Sequence, residues 1–598
     1  MRLTGGEIVL ESLIRHQVPY LVGIPGHGCL GLVDALLRYE GRVRMLQVRH
    51  EQSAVHLADG YYRVTGTPLA VFTSIGPGAM NTLIGVASCY VDSIPVLVLT
   101  GNSHTHMAGR GVLQEIERKR DADSLSLFEP VTRRTWRATR VDQLPRILRR
   151  AFIEMLAGRR GPVAIDLPMD VQCDAAEVDV ESLDSSQPVA RVLPDPALVE
   201  RAGRLLADAR RPVLVAGGGV IAAQAWEELR ALAEFLGAPV VTTMMGKGAF
   251  PEDHPLSGLH GGSKGTTCGN ALTSRADVLL AVGMRFADES TSSYRQGATY
   301  AIPPTRLIHI DLDPAEIGKN YPVEVGIVAD ARAALAALLE WLQAHTAPRD
   351  DRTSDYFAEI QHLREEWLAH VRGLATSDHS PVTISRLIAE VRAFLDRDAI
   401  VLTSSGNTQA QWFQEAMVYE PKTNLTTGGF STMGWAVPAA LGVKLAVPHR
   451  QVVGLVGDGD FLMTAQELAT AVQYDLPVVY VVANNAGWIA IRDLQAAVYG
   501  QERAMGAEFL KDGRPISPDL AALARAFGCY AERISAPDEI RPALERAFAS
   551  GRPAVVEVMV ERDYPLSGSP AVGWWDVPVP AYLAEPRARY ERERAEEQ

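Results

Sequence analysis

Asp458 and Asn485 have the clearest chemical potential in the sequence, because each closely follows a run of apolar residues. Gly457-Asp458-Gly459 comes after QVVGLV, and Asn484-Asn485 comes after LPVVYVVA. If both runs are parallel strands, the two motifs meet at the carboxyl edge of one sheet, where α/β proteins bind ligands. Carboxylate and amide oxygens suit Mg²⁺, which often bridges to phosphates. The pair therefore predicts a magnesium site beside a phosphate-bearing ligand.

Two neighbours of this pair are candidates for holding phosphate groups. Gly459 would let the backbone approach a diphosphate, and the helix predicted from TAQELATAV would direct amide donors and a favourable dipole towards it. Asp460 follows in the same GDGD motif and is a further cofactor-binding candidate. Either motif alone is more simply explained as a strand-ending turn. Only the two motifs together predict a bound ligand.

Glu51 is the candidate acid. It lies in Arg49-His50-Glu51-Gln52, between the strand predicted from MLQV and the helix predicted from SAVHLADGYYRVTG. An acidic residue at a helix start commonly does no more than stabilise the first turn. A carboxyl group buried beside a ring nitrogen would instead have a raised pKa and could share a proton with that ring.

Further candidates lie in glycine-rich segments. Ser431 and Met433 belong to TTGGFSTMGWAVPAALG, although a methionine is most often a core residue. Asn407 and Thr408 belong to SSGNTQAQW. His27 lies in the turn GIPGHG, where it is either a turn residue without a catalytic duty or a group that moves protons near neutral pH.

These residues need rigid elements to position them, and the pattern of the whole chain predicts such elements. Over 598 residues, short apolar runs alternate with helical patterns in three successive blocks. This alternation predicts an α/β protein with three doubly wound parallel-sheet domains. The stretch from Ala175 to Pro196 is predicted to be a surface linker. We expect a first domain at residues 1–180, a central domain at 190–345, and a linker or crossover at 346–380. A third domain should follow at 381–565, and a C-terminal segment with a solvated, frayed tail at 566–598.

Charge and composition exclude several classes of partner. The net charge of −14 argues against nucleic acid, because neutralising phosphates needs an excess of lysine and arginine. A membrane span requires a run of about 18 apolar residues, and the sequence contains no such run. The five cysteines are odd in number and widely spaced, unlike a disulfide framework or a zinc site. We therefore expect a cytoplasmic protein with a small-molecule partner.

The spacing of the GDG and NN motifs, together with the RHEQ glutamate, resembles the thiamine-diphosphate-dependent enzyme superfamily. The chain is most similar to the acetolactate synthase (acetohydroxyacid synthase large-subunit) branch. The resemblance implies pyrimidine-binding, central and diphosphate-binding domains in that order. Similar segments extend over nearly the whole chain, namely TSIGPGAMN at 73–81, GPVAIDLPMDV at 161–171, GKGAFPEDHPLSG at 246–258 and HIDLDPAEIGKN at 309–320.

The resemblance also implies cofactors and residue roles. Thiamine diphosphate would be anchored through Mg²⁺ held by Asp458, Asn485 and the backbone carbonyl of Gly487. Glu51 would hydrogen-bond the aminopyrimidine ring and so help to deprotonate the thiazolium carbon. Met433 would wedge the cofactor into a bent shape.

By the same resemblance, the backbone around Ser431 would hold the pyrimidine edge, and Asn407 and Thr408 would flank the diphosphate. The active site would lie between two chains of a homodimer or homotetramer. The glutamate would come from one chain and the metal site from the other, so a monomer would be inactive.

Two segments depart from the acetolactate synthase pattern. His27 occupies a position where those enzymes usually have a second glycine, and a similar GHG turn occurs in cyclic-dione hydrolases of the superfamily. The loop at 109–130 is longer and more charged, although Gln114 matches the usual residue and is a catalytic candidate. Basic residues 118–120 of this loop are either solvated or able to receive a carboxylate or a coenzyme A phosphate.

Near the end of the chain, Trp574 and Trp575 lie in SGSPAVGWWDVPVPAYL at 567–583. They either pack on the neighbouring domain or form a lid that excludes water. A C-terminal cover of this kind is similar to that of the 2-hydroxyacyl-CoA lyase branch. FAD is left open and is not predicted, because AGGGV at 216–220 and GMRFADES at 283–290 match flavin-holding segments only in part.

The leading hypothesis is a thiamine-diphosphate- and Mg²⁺-dependent, acetolactate synthase-like enzyme that forms or cleaves a carbon–carbon bond. Its substrate would be a 2-oxo acid or a related ketone or acyl-CoA. A cyclic 1,2-dione hydrolase or a 2-hydroxyacyl-CoA lyase is the alternative within the superfamily. A non-catalytic nucleotide- or flavin-binding scaffold is the alternative from another class. That scaffold would be expected to lack Glu51 or the Asp458/Asn485 pair.

Overall fold

The computed structural model describes residues 1–116, 124–185, 190–349, 353–563 and 573–595 of the chain. These residues contain three six-stranded sheets, in which all neighbouring strands are parallel. Helices connect most of the successive strands in each sheet. The arrangement confirms the predicted α/β class with three parallel-sheet domains.

The first domain consists of β1 (Arg2–Thr4), α1 (Gly5–Arg15), β2 (Tyr20–Gly23), α2 (Leu30–Ala35), β3 (Arg44–Gln47), α3 (Glu51–Thr65), β4 (Ala70–Thr73), α4 (Pro77–Asn81), α5 (Leu83–Asp92), β5 (Leu97–Asn102), β6 (Arg134–Arg137), α6 (Leu144–Leu156), β7 (Val163–Pro168), α7 (Met169–Cys173) and β8 (Ala175–Glu177). Its sheet has the order β3-β2-β4-β5-β7-β6, and β1 pairs with β8 separately. The chain changes direction across the sheet between β2 and β4. The loops after these two strands therefore border the crevice where such sheets bind ligands.

The central domain consists of α8 (Pro196–Asp208), β9 (Pro212–Ala216), α9 (Gly218–Ala223), α10 (Trp226–Leu236), β10 (Val240–Thr242), β11 (Ser257–His260), α11 (Thr267–Ser274), β12 (Val278–Val282), α12 (Asp288–Thr291), β13 (Arg306–Asp311), β14 (Val325–Val328) and α13 (Ala331–His345). Its sheet has the order β11-β10-β9-β12-β13-β14. The long helix α14 (Asp355–Ala375) then leads to the third domain.

The third domain consists of α15 (Ile384–Phe394), β15 (Ile400–Thr403), α16 (Asn407–Glu415), β16 (Asn424–Thr426), α17 (Ala436–Ala446), β17 (Val452–Gly457), α18 (Asp458–Thr464), α19 (Leu468–Gln473), β18 (Val479–Asn484), α20 (Ile489–Tyr499), β19 (Leu510–Lys511), β20 (Arg514–Pro515), α21 (Leu520–Ala526), β21 (Tyr530–Ile534), α22 (Ile540–Ala549) and β22 (Ala554–Met559). Its sheet has the order β16-β15-β17-β18-β22-β21, so its crevice lies between β15 and β17. Helix α23 (Ala584–Arg594) closes the chain.

Helices α3 and α17 join the first domain to the third. A Cβ on Gly60 would lie 2.1 Å from the carbonyl oxygen of Ala439, and a Cβ on Gly442 would lie 1.9 Å from that of Leu57. Any larger residue at these two glycines would collide with backbone atoms. The close approach lets the two domains share one hydrophobic core, which includes Val55 and Leu441. Residues on α3 can therefore act on the third domain directly.

Three local predictions differ from the structure. The predicted linker after Ala175 begins with strand β8, because β1 offers its backbone groups for antiparallel pairing. Asp458 is the first residue of α18 and not part of a turn before a later helix. The predicted frayed tail contains helix α23, where Arg587 and Glu591 form an ion pair one turn apart and Tyr590 is buried.

Two properties of the described residues bear on partners. None of the helices that the structure describes is long and apolar enough to cross a membrane. The five cysteines are all free, and four of them are buried.

Candidate active site

The candidates of the third domain meet at the carboxyl edge of its sheet. Asp458 directly follows β17, and Asn485 directly follows the neighbouring strand β18. The Asp458 carboxylate accepts a hydrogen bond from the backbone amide of Gly487 at 3.3 Å. The Asp460 carboxylate accepts one from the backbone amide of Gly434 at 2.5 Å. The structure thus brings the GDGD and NN motifs together, as their positions in the sequence predict.

Buried oxygen atoms in this set would suit a hard cation and a phosphate-bearing ligand. Asn485 Oδ1, Asp460 Oδ2 and Asn407 Oδ1 are buried and form no hydrogen bond. Burial raises the pKa of Asp458 to about 6 and the pKa of Asp460 to about 7. No group of three or more His, Cys, Asp or Glu side chains could hold a metal among the described residues. The oxygen atoms of Asp458 and Asn485 are of the chemical type that a Mg²⁺ ion would require.

The segment from residue 427 to 435 crosses the same edge and contains Ser431 and Met433. Ser431 has a left-handed backbone with φ of 52°, and Gly434 has φ of 77°. The Ser431 hydroxyl donates a hydrogen bond to Ser405 Oγ at 3.0 Å. Met433 is half-buried. Helix α16 opens close by, and its first two residues are the predicted diphosphate neighbours Asn407 and Thr408.

Gly459 lies against an aromatic ring, that of Trp488, for which the sequence predicts no role. A Cβ on Gly459 would lie 2.2 Å from Cζ3 of Trp488. The indole packs edge to face on Phe509 at a centroid distance of 5.3 Å, and the Trp488 amide donates a hydrogen bond to the carbonyl of Ala507 at 2.6 Å. The small size of Gly459 is thus needed for this packing. No spacing signal in the sequence identifies this contact, because it forms only when the loops after β17 and β18 are both in place.

In the first domain, Glu51 is the first residue of α3 but does not cap it. The cap is His50, whose Nδ1 accepts a hydrogen bond from the backbone amide of Gln52 at 3.2 Å. Glu51 Oε2 accepts a hydrogen bond from Asn81 Nδ2 at 2.9 Å. A Cβ on Gly78 would lie 3.0 Å from Glu51 Oε1. The carboxylate is therefore directed across the start of α4 and is free of a capping duty.

His27 and Gln114 lie on loops at the same edge of the first sheet. His27 opens a short 3-10 turn after β2, and its Nε2 is buried without a hydrogen-bond partner. Gln114 is exposed and has a left-handed φ of 71°. Its carbonyl oxygen would lie 2.2 Å from a Cβ on Gly76, in the loop after β4. The basic residues 118–120 of the Gln114 loop lie outside the described residues.

The two sets of candidates are separate within one chain. No hydrogen bond or ion pair that the structure describes joins Glu51 to Asp458. The two domains are nevertheless joined close to these sets, for example where the Glu467 carboxylate accepts hydrogen bonds from the Arg49 amide at 3.0 and 3.2 Å. Burial raises the pKa of Glu467. Glu467 lies within TAQELATAV, where the sequence predicts only a helix residue.

A cavity of about 1200 Å³ extends from the third-domain set towards the central domain. Its lining includes Ser431, Ile491 and the glycine-rich turns after β9 and β12. Trp574 and Trp575 also line it, and the Trp575 indole donates a hydrogen bond to Asp288 at 2.9 Å. The two tryptophans therefore pack on the central domain and border the cavity at the same time. Residues 567–572 of the predicted lid lie outside the described residues.

Comparisons with known proteins agree with this arrangement. Family models match for the thiamine pyrophosphate enzyme N-terminal TPP binding domain at residues 3–123, the central domain at 199–338, and the C-terminal TPP binding domain at 404–558. The first model spans Glu51 and Gln114, and the last spans both GDGD and NN.

Several curated relatives are similar over almost the full chain. The probable acetolactate synthase large subunit of Methanocaldococcus jannaschii is 36% identical, with 94% of this chain and 92% of the relative covered. The acetolactate synthase large subunit of Corynebacterium glutamicum is 36% identical over 94% and 87% of the two chains. The large subunit of acetolactate synthase isozyme 3 of Escherichia coli is 35% identical over 94% and 96%. Since these likenesses and the three family models cover all three domains in order, the chain belongs to the thiamine pyrophosphate enzymes, in the branch of the acetolactate synthase large subunits.

Proposed function

We propose that this chain is a thiamine-diphosphate- and Mg²⁺-dependent enzyme that joins two 2-oxo acid molecules, with acetolactate formation from pyruvate as its reaction. The single observation that carries the proposal is the meeting of Asp458, Asn485 and Gly487 at one sheet edge, with buried oxygens that lack partners. When bound, thiamine diphosphate supplies a nucleophilic carbon and an electron sink for the substrate carbonyl.

Asp458, Asn485 and the carbonyl of Gly487 would hold Mg²⁺ against the diphosphate. Asp458 is the residue best suited to bind the cation directly, because burial makes its charge costly without one. The amides at the start of α18 would face the same phosphates. Asp460 would hold Gly434 in place and so fix the neighbouring Met433, which is the proposed wedge under the cofactor.

Glu51 would hold and return a proton at the cofactor ring. Its Oε2 is oriented by Asn81, and Oε1 lies over Gly78, where a side chain would crowd it. This fixed orientation suits proton transfer to one ring atom. His27 Nε2, buried and without a partner, would accept or donate a proton near the substrate, and Gln114 would bind the substrate.

The active site would be completed by a second copy of the chain, in a homodimer or homotetramer. Glu51 has no described contact with the Asp458 set, although both are proposed to act on one cofactor. Exposed apolar side chains also surround the third-domain set, as expected for a surface that a partner covers. They are Phe430, Leu462, Met463 and Ile491. Five free cysteines favour a reducing, cytoplasmic location.

The relatives favour carboligation over the two alternatives within the superfamily, because those reported above are named as acetolactate synthases. The scaffold alternative is disfavoured because the chain retains Glu51, Asp458 and Asn485. The His27 turn remains the feature that departs most from the expected pattern.

The test is calorimetric titration of thiamine diphosphate into metal-stripped protein, with and without Mg²⁺, followed by product analysis with pyruvate alone. We expect binding only with Mg²⁺, and then acetolactate and CO₂. Absence of binding to folded protein would contradict the cofactor assignment. Binding without acetolactate from pyruvate would contradict the reaction and direct attention to cyclic diones and 2-hydroxyacyl-CoA.

A further inference from the structure

A buried group of charges joins the first domain to the segment at residues 427–435. Arg63 on α3 donates hydrogen bonds to Asp59 at 2.6 Å and to Asp92 at 3.0 Å. A third hydrogen bond, at 3.0 Å, goes from Arg63 to the carbonyl oxygen of Thr426 in the third domain. The side chains of all three charged residues are at most 8% exposed. The Arg63 guanidinium therefore binds two carboxylates of the first domain and the carbonyl oxygen of Thr426, the residue directly before the segment.

Both carboxylates also bind the third domain. Asp92 accepts hydrogen bonds from the backbone amides of Gly428 at 3.2 Å and Gly429 at 3.0 Å. Asp59 accepts one from the indole of Trp435 at 2.7 Å, and the same ring lies over Arg63 at 5.1 Å. The first domain is therefore hydrogen-bonded to the segment at its beginning and at its end.

Gly429 lies at one of these contacts and has little room for a side chain. A Cβ on Gly429 would lie 2.5 Å from Val91 Cγ1 and 2.6 Å from Arg285 Nη2. Between the two gripped ends, Ser88 of α5 contacts Thr432, with 2.5 Å between the hydroxyl oxygens. Ser88 and Asp92 lie one turn apart on one helix, so α5 presents both contacts as a rigid unit.

The energetics make this group sensitive to any loss of charge. One guanidinium faces two carboxylates away from water, and the second negative charge is balanced by the two glycine amides. Hydrogen bonds to charged groups are stronger than neutral ones, and leaving one partner of a buried set unpaired is costly. An asparagine in place of Asp92 would have an NH₂ group where a carboxylate oxygen now accepts hydrogen bonds from Arg63 or the glycine amides. One of these donors would then lose its acceptor.

We infer that Arg63 and Asp92 are positioning residues that set the segment carrying Ser431 and Met433 for the cofactor. Their described hydrogen bonds go to protein groups, and both residues border the cavity beside the segment. They act through the Gly428–Gly429 amides and the Thr426 carbonyl, which fix where the segment leaves β16. The inference rests on the proposed function, because it assigns this segment to cofactor binding.

The test compares Asp92→Asn with wild type in the full-length protein, by calorimetric titration of thiamine diphosphate with Mg²⁺ and by near-ultraviolet circular dichroism of the loaded protein. We expect about ten- to a hundredfold weaker cofactor binding and an altered cofactor dichroism. The matched control is Glu7→Gln, because Glu7 is also a buried carboxylate paired with an arginine, Arg38, in the first domain. The Glu7 carboxylate accepts a hydrogen bond from the backbone amide of Thr4, the N-cap of α1, and does not contact the segment, so cofactor binding by this variant should match wild type.

A second variant keeps the test decisive if Asp92→Asn fails to fold. Gly429→Ala leaves all charges intact but forces the segment away from Val91, and it should weaken cofactor binding as well. The inference is overturned if either folded variant binds and orients the cofactor as wild type does, or if Glu7→Gln weakens binding equally. Failure of wild type itself to bind would instead contradict the proposed function.

Discussion

The Asp458 carboxylate accepts a hydrogen bond from the backbone amide of Gly487 at 3.3 Å, which ties the loop after β17 to the loop after β18. Two predicted metal ligands are thereby held side by side by the protein alone. Such preorganisation lowers the cost of assembling a binding site. Because the same carboxylate would bind the metal and accepts the Gly487 hydrogen bond, a mutation can remove the first interaction and keep the second.

We expect Asp458→Asn to keep this contact and lose the metal. An asparagine oxygen can still accept the Gly487 hydrogen bond, but it lacks the charge that a hard cation requires. The Mg²⁺ concentration for half-maximal cofactor binding should rise by at least about a hundredfold, equivalent to roughly 3 kcal/mol. Magnesium titration followed by calorimetry measures this. Asp512→Asn, in the exposed turn between β19 and β20, should behave as wild type.

We expect Glu51→Gln to separate cofactor binding from turnover. Glutamine has the size of glutamate and its oxygen can still accept the Asn81 hydrogen bond, but it cannot take up a proton. Loss of a positioned acid–base group commonly costs about 10²–10⁴-fold in rate. Product formation should fall in this range while the calorimetric affinity changes little. An active Glu51→Gln variant would remove Glu51 from the mechanism, and Glu40→Gln at an exposed turn is the control.

The strands and the GDGD–NN pair followed from the sequence because they depend on local information. Each apolar run forms its own strand, and parallel strands bring their carboxyl ends to one edge regardless of the loops between them. The same logic located Glu51 at the start of α3. It could not show that His50 makes the cap, because that depends on which side chain turns towards the Gln52 amide.

The Asp92–Gly428 contact could not be predicted from the sequence. Asp92 ends a helix in the first domain and Gly428 follows a strand in the third, so the pair is defined only by how α3 and α17 pack. The role of Trp488 could not be predicted for a similar reason, since its contact with Gly459 requires the loops after β17 and β18 to be in place. Long-range packing of this kind leaves no periodic or spacing signal in a single sequence.

We expect Trp575→Ala to leave cofactor binding unchanged and to let the reaction intermediate escape from the cavity before it is joined to a second substrate molecule. The indole holds the C-terminal segment to Asp288 and borders the cavity. Without it, water should enter more readily and a larger fraction of pyruvate should end as decarboxylated, unligated product. Product ratios measure this. Tyr582→Ala, at a 78% exposed residue of the same segment, should keep the wild-type ratio, and an unchanged ratio in both would argue for packing alone.

Glu415→Gln should stabilise the protein at neutral and alkaline pH. Burial raises the pKa of Glu415 from 4.5 to about 7, and the Ser385 hydroxyl donates one hydrogen bond to it at 2.8 Å. The folded state therefore binds this proton more tightly than the unfolded state. The contribution of Glu415 to stability must fall as pH rises from about 4.5 to about 7 and stay constant above that.

Glutamine resembles the protonated acid at every pH, so the advantage of the variant should be absent near pH 4.5, grow through that window, and level off above pH 7. At pH 8 we expect its Tm to exceed that of wild type by roughly 2–4 °C. Thermal unfolding followed by circular dichroism from pH 5 to pH 8.5 measures the difference. Glu545→Gln, at an exposed residue of α22, should show no such trend. A constant offset between Glu415→Gln and wild type at all pH values would mean that Glu415 is ionised at no cost in the folded protein.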